Sequence, residues 1–291
     1  MIDEIEILRR LPALLPLNKR ICVGAGDDCA VINMPGKYQL LAAADQVIEK
    51  VHFLPETPPR LVGRKLMNRN LSDIAAMGGT PLTALLTIAA GGKDSLWVEE
   101  LVAGAAEAGQ VFDVPVCGGD TAALPCDGAA ASLTILGEVP AGTAVLRSGA
   151  RPGDGVYITG RIGNSFLSEH HLNFTPRLAE GAFLRSLASA MIDVSDGLLL
   201  DAIRLADASN VSIMLCPDSV PLRAGAVAPA AFSDGEDYEL LFTSKHDVLR
   251  LRPENTAVVT RIGQVVPREA APVVTPDHHP FIMENSGYVH R

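Results

Sequence analysis

The chain has 291 residues, 48% of them hydrophobic and 20% charged, with a formal net charge of −10. That length buries enough core for two domains or one large one, and the negative charge disfavours a bare polyanion such as DNA as a partner. The five cysteines (Cys22, Cys29, Cys117, Cys126, Cys216) form no C-x-x-C pair, the amino terminus is acidic, and the most apolar stretch, 82–90, is too short for a bilayer, so reduced thiols in a cytoplasmic protein are expected.

In chain order, Gly24-Ala25-Gly26-Asp27-Asp28 comes first. It lacks the third glycine of the dinucleotide fingerprint, and G-x-x-x-x-G-K-[ST] occurs nowhere, which disfavours Rossmann and Walker-type enzymes; a phosphate loop and a plain surface turn are its two readings. Residues 39–44 read as a buried strand delivering Asp45 at its end. Pro58-Pro59 precedes a helix over about 60–77, stopped by Gly78-Gly79 and Pro81, with Asn70 and Asp73 three apart on one face. A strand over 82–90, an amphipathic helix over 95–112 and a short strand over 114–117 follow. The last runs into Gly118-Gly119-Asp120-Thr121, read either as a hairpin turn or as a ligand loop at a strand end. Another strand is expected over 132–139. The turn-rich 147–154 marks a boundary, giving domains 1–145 and 146–291. Beyond it the pattern predicts a strand from 156 to 159, helices around 177–190 and 198–208, and strands near 211–215, 238–243 and 257–265. Strands alternating with helices argue for a mixed α/β layer architecture.

Acids recur in apolar surroundings: Asp27 and Asp28, Asp45, Asp73, Asp120, Asp193 and Asp196. A carboxylate there is costly to desolvate without a partner, and no cluster carries a neighbouring Lys or Arg to serve. An external cation is the economical partner, and oxygen-only ligation points to Mg²⁺ brought together with a phosphorylated substrate. Within Met191-Ile192-Asp193-Val194-Ser195-Asp196-Gly197, Ser195 or Asp196 can cap the next helix, a role Asp193 does not need. Asp234-Gly235-Glu236-Asp237-Tyr238-Glu239 reads as a solvated turn, His52 as a structural histidine or a ligand contact, and His170-His171 as surface residues without a zinc-spaced partner.

The order of these motifs resembles the thiamine-monophosphate kinase family, within the superfamily of aminoimidazole ribonucleotide synthetase, selenophosphate synthetase and hydrogenase maturation protein E. The resemblance runs from about residue 20 to Gly287-Tyr288. It is carried by Gly26-Asp27-Asp28-Cys29-Ala30-Val31, the Asp45 and His52-Phe53 pair, Asn-Leu-Ser-Asp-Ile-Ala-Ala-Met-Gly at 70–78, Gly118-Gly119-Asp120-Thr121, the segment 147–154, Pro176-Arg177-Leu178, Ile-Asp-Val-Ser-Asp-Gly-Leu at 192–198 and Gly235-Glu236-Asp237-Tyr238. It implies a two-domain PurM-like fold, with an amino-terminal domain that forms a dimeric β-barrel and a carboxy-terminal α/β domain completing the groove. The implied reaction is Mg²⁺-dependent transfer of the γ-phosphoryl group of ATP to thiamine monophosphate, through positioning and metal ions rather than a covalent catalytic residue. By position, Asp28, Asp45, Asp73, Asp120, Asp193 and Asp196 would hold Mg²⁺; Gly119, Asp120, Arg147 and Ser195 would lie against ATP; and His52, Glu236 and Tyr288 would contact the thiamine substrate. The chain departs from the family at Ala43, Ala44 and Gln46, where hydroxyl residues are usual, at Lys50, at Asp234, and in a short 163–176 region. Those departures keep two alternatives open: a related ATP-dependent enzyme with another acceptor, or a nucleotide-binding protein without turnover.

Overall fold

The computed structural model describes residues 7, 10, 11, 13–250, 256–283 and 287. Two six-stranded sheets organise it. The first comprises β1 (Ile21–Val23), β2 (Ala30–Asn33), β3 (Tyr38–Ile48), β4 (Thr80–Gly91), β5 (Val116–Ala123) and β6 (Gly128–Pro140), in the order β1-β2-β3-β6-β4-β5. Burial alternates residue by residue along β6, turning Ala129, Ala131, Leu133, Ile135 and Val139 into the core, as expected of a sheet with one covered face. Two long helices do the covering, α1 (Pro59–Ala76) and α2 (Ser95–Gln110); α2 is the crossover that parallel β4 and β5 require.

The second sheet contains β7 (Gly155–Thr159), β8 (Ala190–Asp193), β9 (Ser212–Leu215), β10 (Leu240–Ser244), β11 (Val259–Val266) and β12 (Val273–Val274), in the order β12-β9-β11-β7-β10-β8. The short helices α3 (His170–Asn173) and α4 (Leu178–Leu184) and the longer α5 (Leu198–Ala208) lie between its strands in sequence. Leu198, Leu199, Ala202, Leu205 and Ala206 of α5 pack into the core with Ile192, Ile213 and Ile262.

Helix α1 joins the two halves. Proline at its start costs no hydrogen bond, because the first amides of a helix have no intrahelical acceptor. Leu66, Met67, Leu71 and Ile74 enter the core of the first sheet, while Ala75 and Ala76 meet Tyr157, Met191, Leu240 and Phe242 of the second. The helix ends in a Schellman motif: Gly78 N–H donates to the Ala75 carbonyl and Gly79 N–H to that of Ile74, both at 2.9 Å. Gly78 sits at φ +66°, and a Cβ there would lie 2.9 Å from that of Arg185.

Several expectations are corrected. β3 does not stop at residue 44 but runs through Asp45, which pairs across with Leu133. The strand expected over 114–117 is β5, and it carries Gly118-Gly119-Asp120-Thr121 inside it rather than in a loop. A Cβ on Gly119 would fall 1.7 Å from the Leu86 carbonyl, so close pairing with β4 already explains that glycine. The helix expected over 177–190 stops at Leu184 and gives way to β8. His171 is buried rather than on the surface, its Nδ1 3.1 Å from the Ser165 carbonyl oxygen.

Candidate active site

The end of α1, the end of β8 and the loop between β1 and β2 converge. They bring Asp28, Asp73 and Asp193 together, with one carboxylate oxygen from each within 4.8 Å of the others. Asp73 lies in the last turn of α1, next to Ser72, whose hydroxyl donates to Asp193 Oδ2 at 2.6 Å. The Asp28 side chain is wholly buried; its Oδ1 accepts from Arg147 Nη2 at 2.7 Å, while Oδ2 has no hydrogen-bond partner among the described residues. Desolvation, then the charges of Asp45, Asp193 and Asp28, hold the Asp73 carboxyl well above the usual carboxylate range. Asp193 is displaced the same way by desolvation and by Asp28. Asp27, whose carboxylate accepts the Arg147 amide at 3.2 Å, is pushed up to about 6 by burial and by Asp28. An oxygen-only donor set, one orphaned buried oxygen and strong mutual repulsion fit a hard divalent cation such as Mg²⁺.

Other candidates are held differently. The expectation that the acids lack basic partners is wrong at three positions: Asp28 pairs with Arg147, Asp45 Oδ2 with Arg69 Nε at 2.7 Å, and Asp196 Oδ2 with Arg204 Nη1 at 2.5 Å. Asp120 is exposed on β5, outside the three-carboxylate cluster. Neither Ser195 nor Asp196 caps α5; Asp201, one turn inside, turns back and accepts the amides of Asp196 and Gly197 at 3.1 and 3.2 Å. Burial, then the neighbouring Asp196, raises the Asp201 carboxyl to about 7.

Beside the cluster lies a cavity of about 170 Å³ lined by His52, Arg69, Ser195, Asp196, Glu236 and Tyr238, among others. The acidic run at 234–239 that builds one wall is not a solvated turn. Glu236 and Tyr238 N–H groups donate to the Ser195 and Val194 carbonyls at 2.7 and 2.8 Å, drawing the run onto the β8–α5 turn. Glu236 and Tyr238 both adopt left-handed backbone, at φ 54° and 51°, which costs about 1–2 kcal/mol per residue. Alternate side chains then point opposite ways. Asp237 is buried against Arg223 Nη1 and the Ser165 hydroxyl, and Glu239 against Arg177 and the Thr159 hydroxyl. Tyr238 stacks on Phe174 with ring centroids 4.0 Å apart. Glu236 Oε1 instead meets Lys65 Nζ at 2.6 Å, and Lys65, fully buried on α1, also donates to the His52 carbonyl. Tyr288 lies outside the described residues.

The chain as a whole is similar to known proteins. Residues 26–139 match the family AIR synthase related protein, N-terminal domain. The thiamine-monophosphate kinase of Rhodopirellula baltica is 37% identical over 282 residues, covering 86% of this chain and 85% of that protein. The Salmonella typhimurium protein of the same name is 36% identical over 248 residues, covering 76% and 75%. The chain belongs to the thiamine-monophosphate kinase family. The solved structure of AaThiL complexed with AMPPCP and TMP matches with a TM-score of 0.86 at 29% identity, over 99% of this chain and 97% of that one. The PurM-like α/β fold implied by the motif order is therefore the one observed. No helix among the described residues is long and apolar enough to cross a membrane.

Sequence reasoning missed Lys65, Arg69 and Asp201. The signal for the first two was present: residues 65, 69 and 73 recur at intervals of four along α1, a charged stripe along one face of the helix.

Proposed function

We propose that this family member transfers the γ-phosphoryl group of ATP to the phosphate of thiamine monophosphate, with Mg²⁺ held by Asp28, Asp73 and Asp193. The observation that carries this reading is the three-carboxylate cluster beside the cavity bounded by His52 and Glu236. Two phosphorylated substrates bring several negative charges to a protein already at −10. When bound, Mg²⁺ neutralises and orients the phosphate oxygens.

The chain's own groups do the positioning. Arg147, anchored on Asp28 and on the carboxylate of Asp27 through its amide, presents a fixed positive charge toward the nucleotide phosphates. Ser195, Gly119 and Asp120 line the nucleotide side, and Asp120 and Asp196 take further Mg²⁺ ions that arrive with the nucleotide. His52, its Nδ1 accepting the Ile48 amide at 3.0 Å, and Glu236, fixed by Lys65, orient the thiamine moiety together with Tyr288. The two sheets form two domains that divide near residue 145, with the first pairing in a second copy as a dimeric barrel and both enclosing the groove. The enzyme works in the cytoplasm.

The test is direct. Protein, ATP, Mg²⁺ and thiamine monophosphate yield thiamine diphosphate and ADP by chromatography, and Asp193→Asn abolishes the product. Absence of thiamine diphosphate at high enzyme concentration rejects the reading.

A further inference from the structure

We infer that Arg69 is the cation that receives the phosphate group of the acceptor, an assignment that takes the acceptor's identity from the reading above. Arg69 lines the cavity with His52, Ser195 and Glu236. Its Nε is committed to Asp45 Oδ2 at 2.7 Å, and its side chain is only 11% exposed. Its Nη1 is buried with no hydrogen-bond acceptor among the described residues. An arginine beside a carboxylate commonly engages it through two parallel bonds; here Asp45 takes one nitrogen and leaves a donor unspent, which is costly in a buried site. The Arg69 side chain borders the cavity, and a small shift of its guanidinium brings a phosphate oxygen bound there within reach as the missing acceptor.

The neighbouring cations are otherwise engaged. Lys65 Nζ is spent on the His52 carbonyl and on Glu236, and Arg204 on Asp196 and Asp201. The cation facing Asp45 Oδ2 in the structure is the Arg69 guanidinium.

The chemistry suits a guanidinium. In the transfer, an oxygen of the acceptor phosphate forms a bond to the γ-phosphorus as the bond from that phosphorus to the bridging oxygen of ADP breaks. Arg69 stays charged throughout and surrenders no proton, so it holds the attacking phosphate and offsets repulsion between the two anions without quenching the nucleophile.

The experiment is calorimetric titration of the full chain saturated with Mg²⁺ and a non-hydrolysable ATP analogue, which occupies the nucleotide site. Inorganic phosphate, thiamine and thiamine monophosphate are titrated separately into wild type, Arg69→Gln and Arg69→Lys. Losing a charge-assisted bond weakens phosphate and thiamine monophosphate binding by about tenfold or more in Arg69→Gln, with thiamine and analogue affinities unchanged. Arg69→Lys keeps a charge against Asp45 but loses the fork, and shows a smaller loss in the same two ligands; it carries the test if Arg69→Gln does not fold. Equal phosphate affinity in wild type and variants, a parallel loss for thiamine and phosphate, or no phosphate binding by wild type overturns the assignment. Wild type that binds phosphate through Arg69 but neither thiamine compound leaves Arg69 assigned and sinks the proposed acceptor instead.

Discussion

In the proposed metal-binding role, Asp73 occupies a position where function and stability pull in opposite directions. Its oxygen lies within 4.8 Å of those of Asp28 and Asp193; at an effective dielectric of about 20, two full charges at about that distance repel by roughly 3 kcal/mol. Without metal, the protein relieves this by keeping protons on Asp73 and Asp193, whose carboxyls are both raised. Replacing Asp73 by Asn supplies a neutral side chain at nearly constant shape, without the cost of holding a proton on an acid that ionises in the unfolded chain. The metal-free variant is expected to be more stable than wild type by about 1–2 kcal/mol, in the manner of other active-site acids held for function, while its turnover falls at least a hundredfold and the rise in melting temperature on adding Mg²⁺ disappears. Calorimetric scans with and without Mg²⁺ check all three; a destabilised metal-free variant refutes the repulsion argument. Arg177 is the contrasting case. Its guanidinium meets both oxygens of the buried Glu239 at 2.6 and 2.5 Å. Arg177→Ala leaves that carboxylate without a cation and should cost about 3–5 kcal/mol in urea unfolding.

Among the elements, α1 matters most, because it carries Lys65, Arg69, Ser72 and Asp73 past both sheets. Its register is set at its last turn, where Gly78 closes the Schellman motif at φ +66°. Gly78→Ala forces a side chain into left-handed backbone, at about 1–2 kcal/mol, and against Arg185. The expected result is a lower urea midpoint with unchanged slope, together with a fall in kcat/KM, since Asp73 sits five residues upstream; a variant with wild-type stability contradicts this account of the helix end. The helix itself was legible in the sequence, as Pro59 and Gly78-Gly79 are local signals that act through a few bonds. Asp73 and Asp193 were legible too, because an acid in an apolar run is conspicuous wherever the chain folds. The arginine partners were not. Arg147 reaches Asp28 across 119 positions and Arg223 reaches Asp237 across 14, so burial of the 234–239 run depends on contacts that no local pattern encodes. Gly118-Gly119 was ambiguous for a related reason: a glycine that lets β5 approach β4 reads the same as one that admits a phosphate, and one residue can do both.

At the scale of the whole molecule, the three clustered carboxylates come from the first sheet's β1–β2 loop, from α1 and from the second sheet's β8, so occupancy of the site bears on how the two halves hold together. Titration gives this a sign. Asp27 and Asp237 are raised to about 6 and Asp201 to about 7, in each case chiefly by burial. Between the ordinary carboxylate pKa near 4 and these values the folded state binds more protons than the unfolded state, so its stability falls as pH rises. Asp73 and Asp193 act in the same direction. Lys65, lowered to about 8 by burial, acts oppositely, but only above that value, where the unfolded state binds the extra proton. Metal-free protein is therefore expected to lose melting temperature steadily from pH 5 to pH 7 and to level off beyond pH 8. Mg²⁺ at the proposed site competes with protons for the same oxygens, so the stabilisation it gives should be small at pH 5, large at pH 7.5, and accompanied by proton release, read from the slope of binding enthalpy against buffer ionisation enthalpy in calorimetry. A metal-free protein whose melting temperature climbs between pH 5 and pH 7 contradicts the buried, mutually repelling acids on which the site is built, since carboxyls raised into that window lower stability as pH rises through it, whereas carboxylates paired with arginines are ionised in both states there and give no slope.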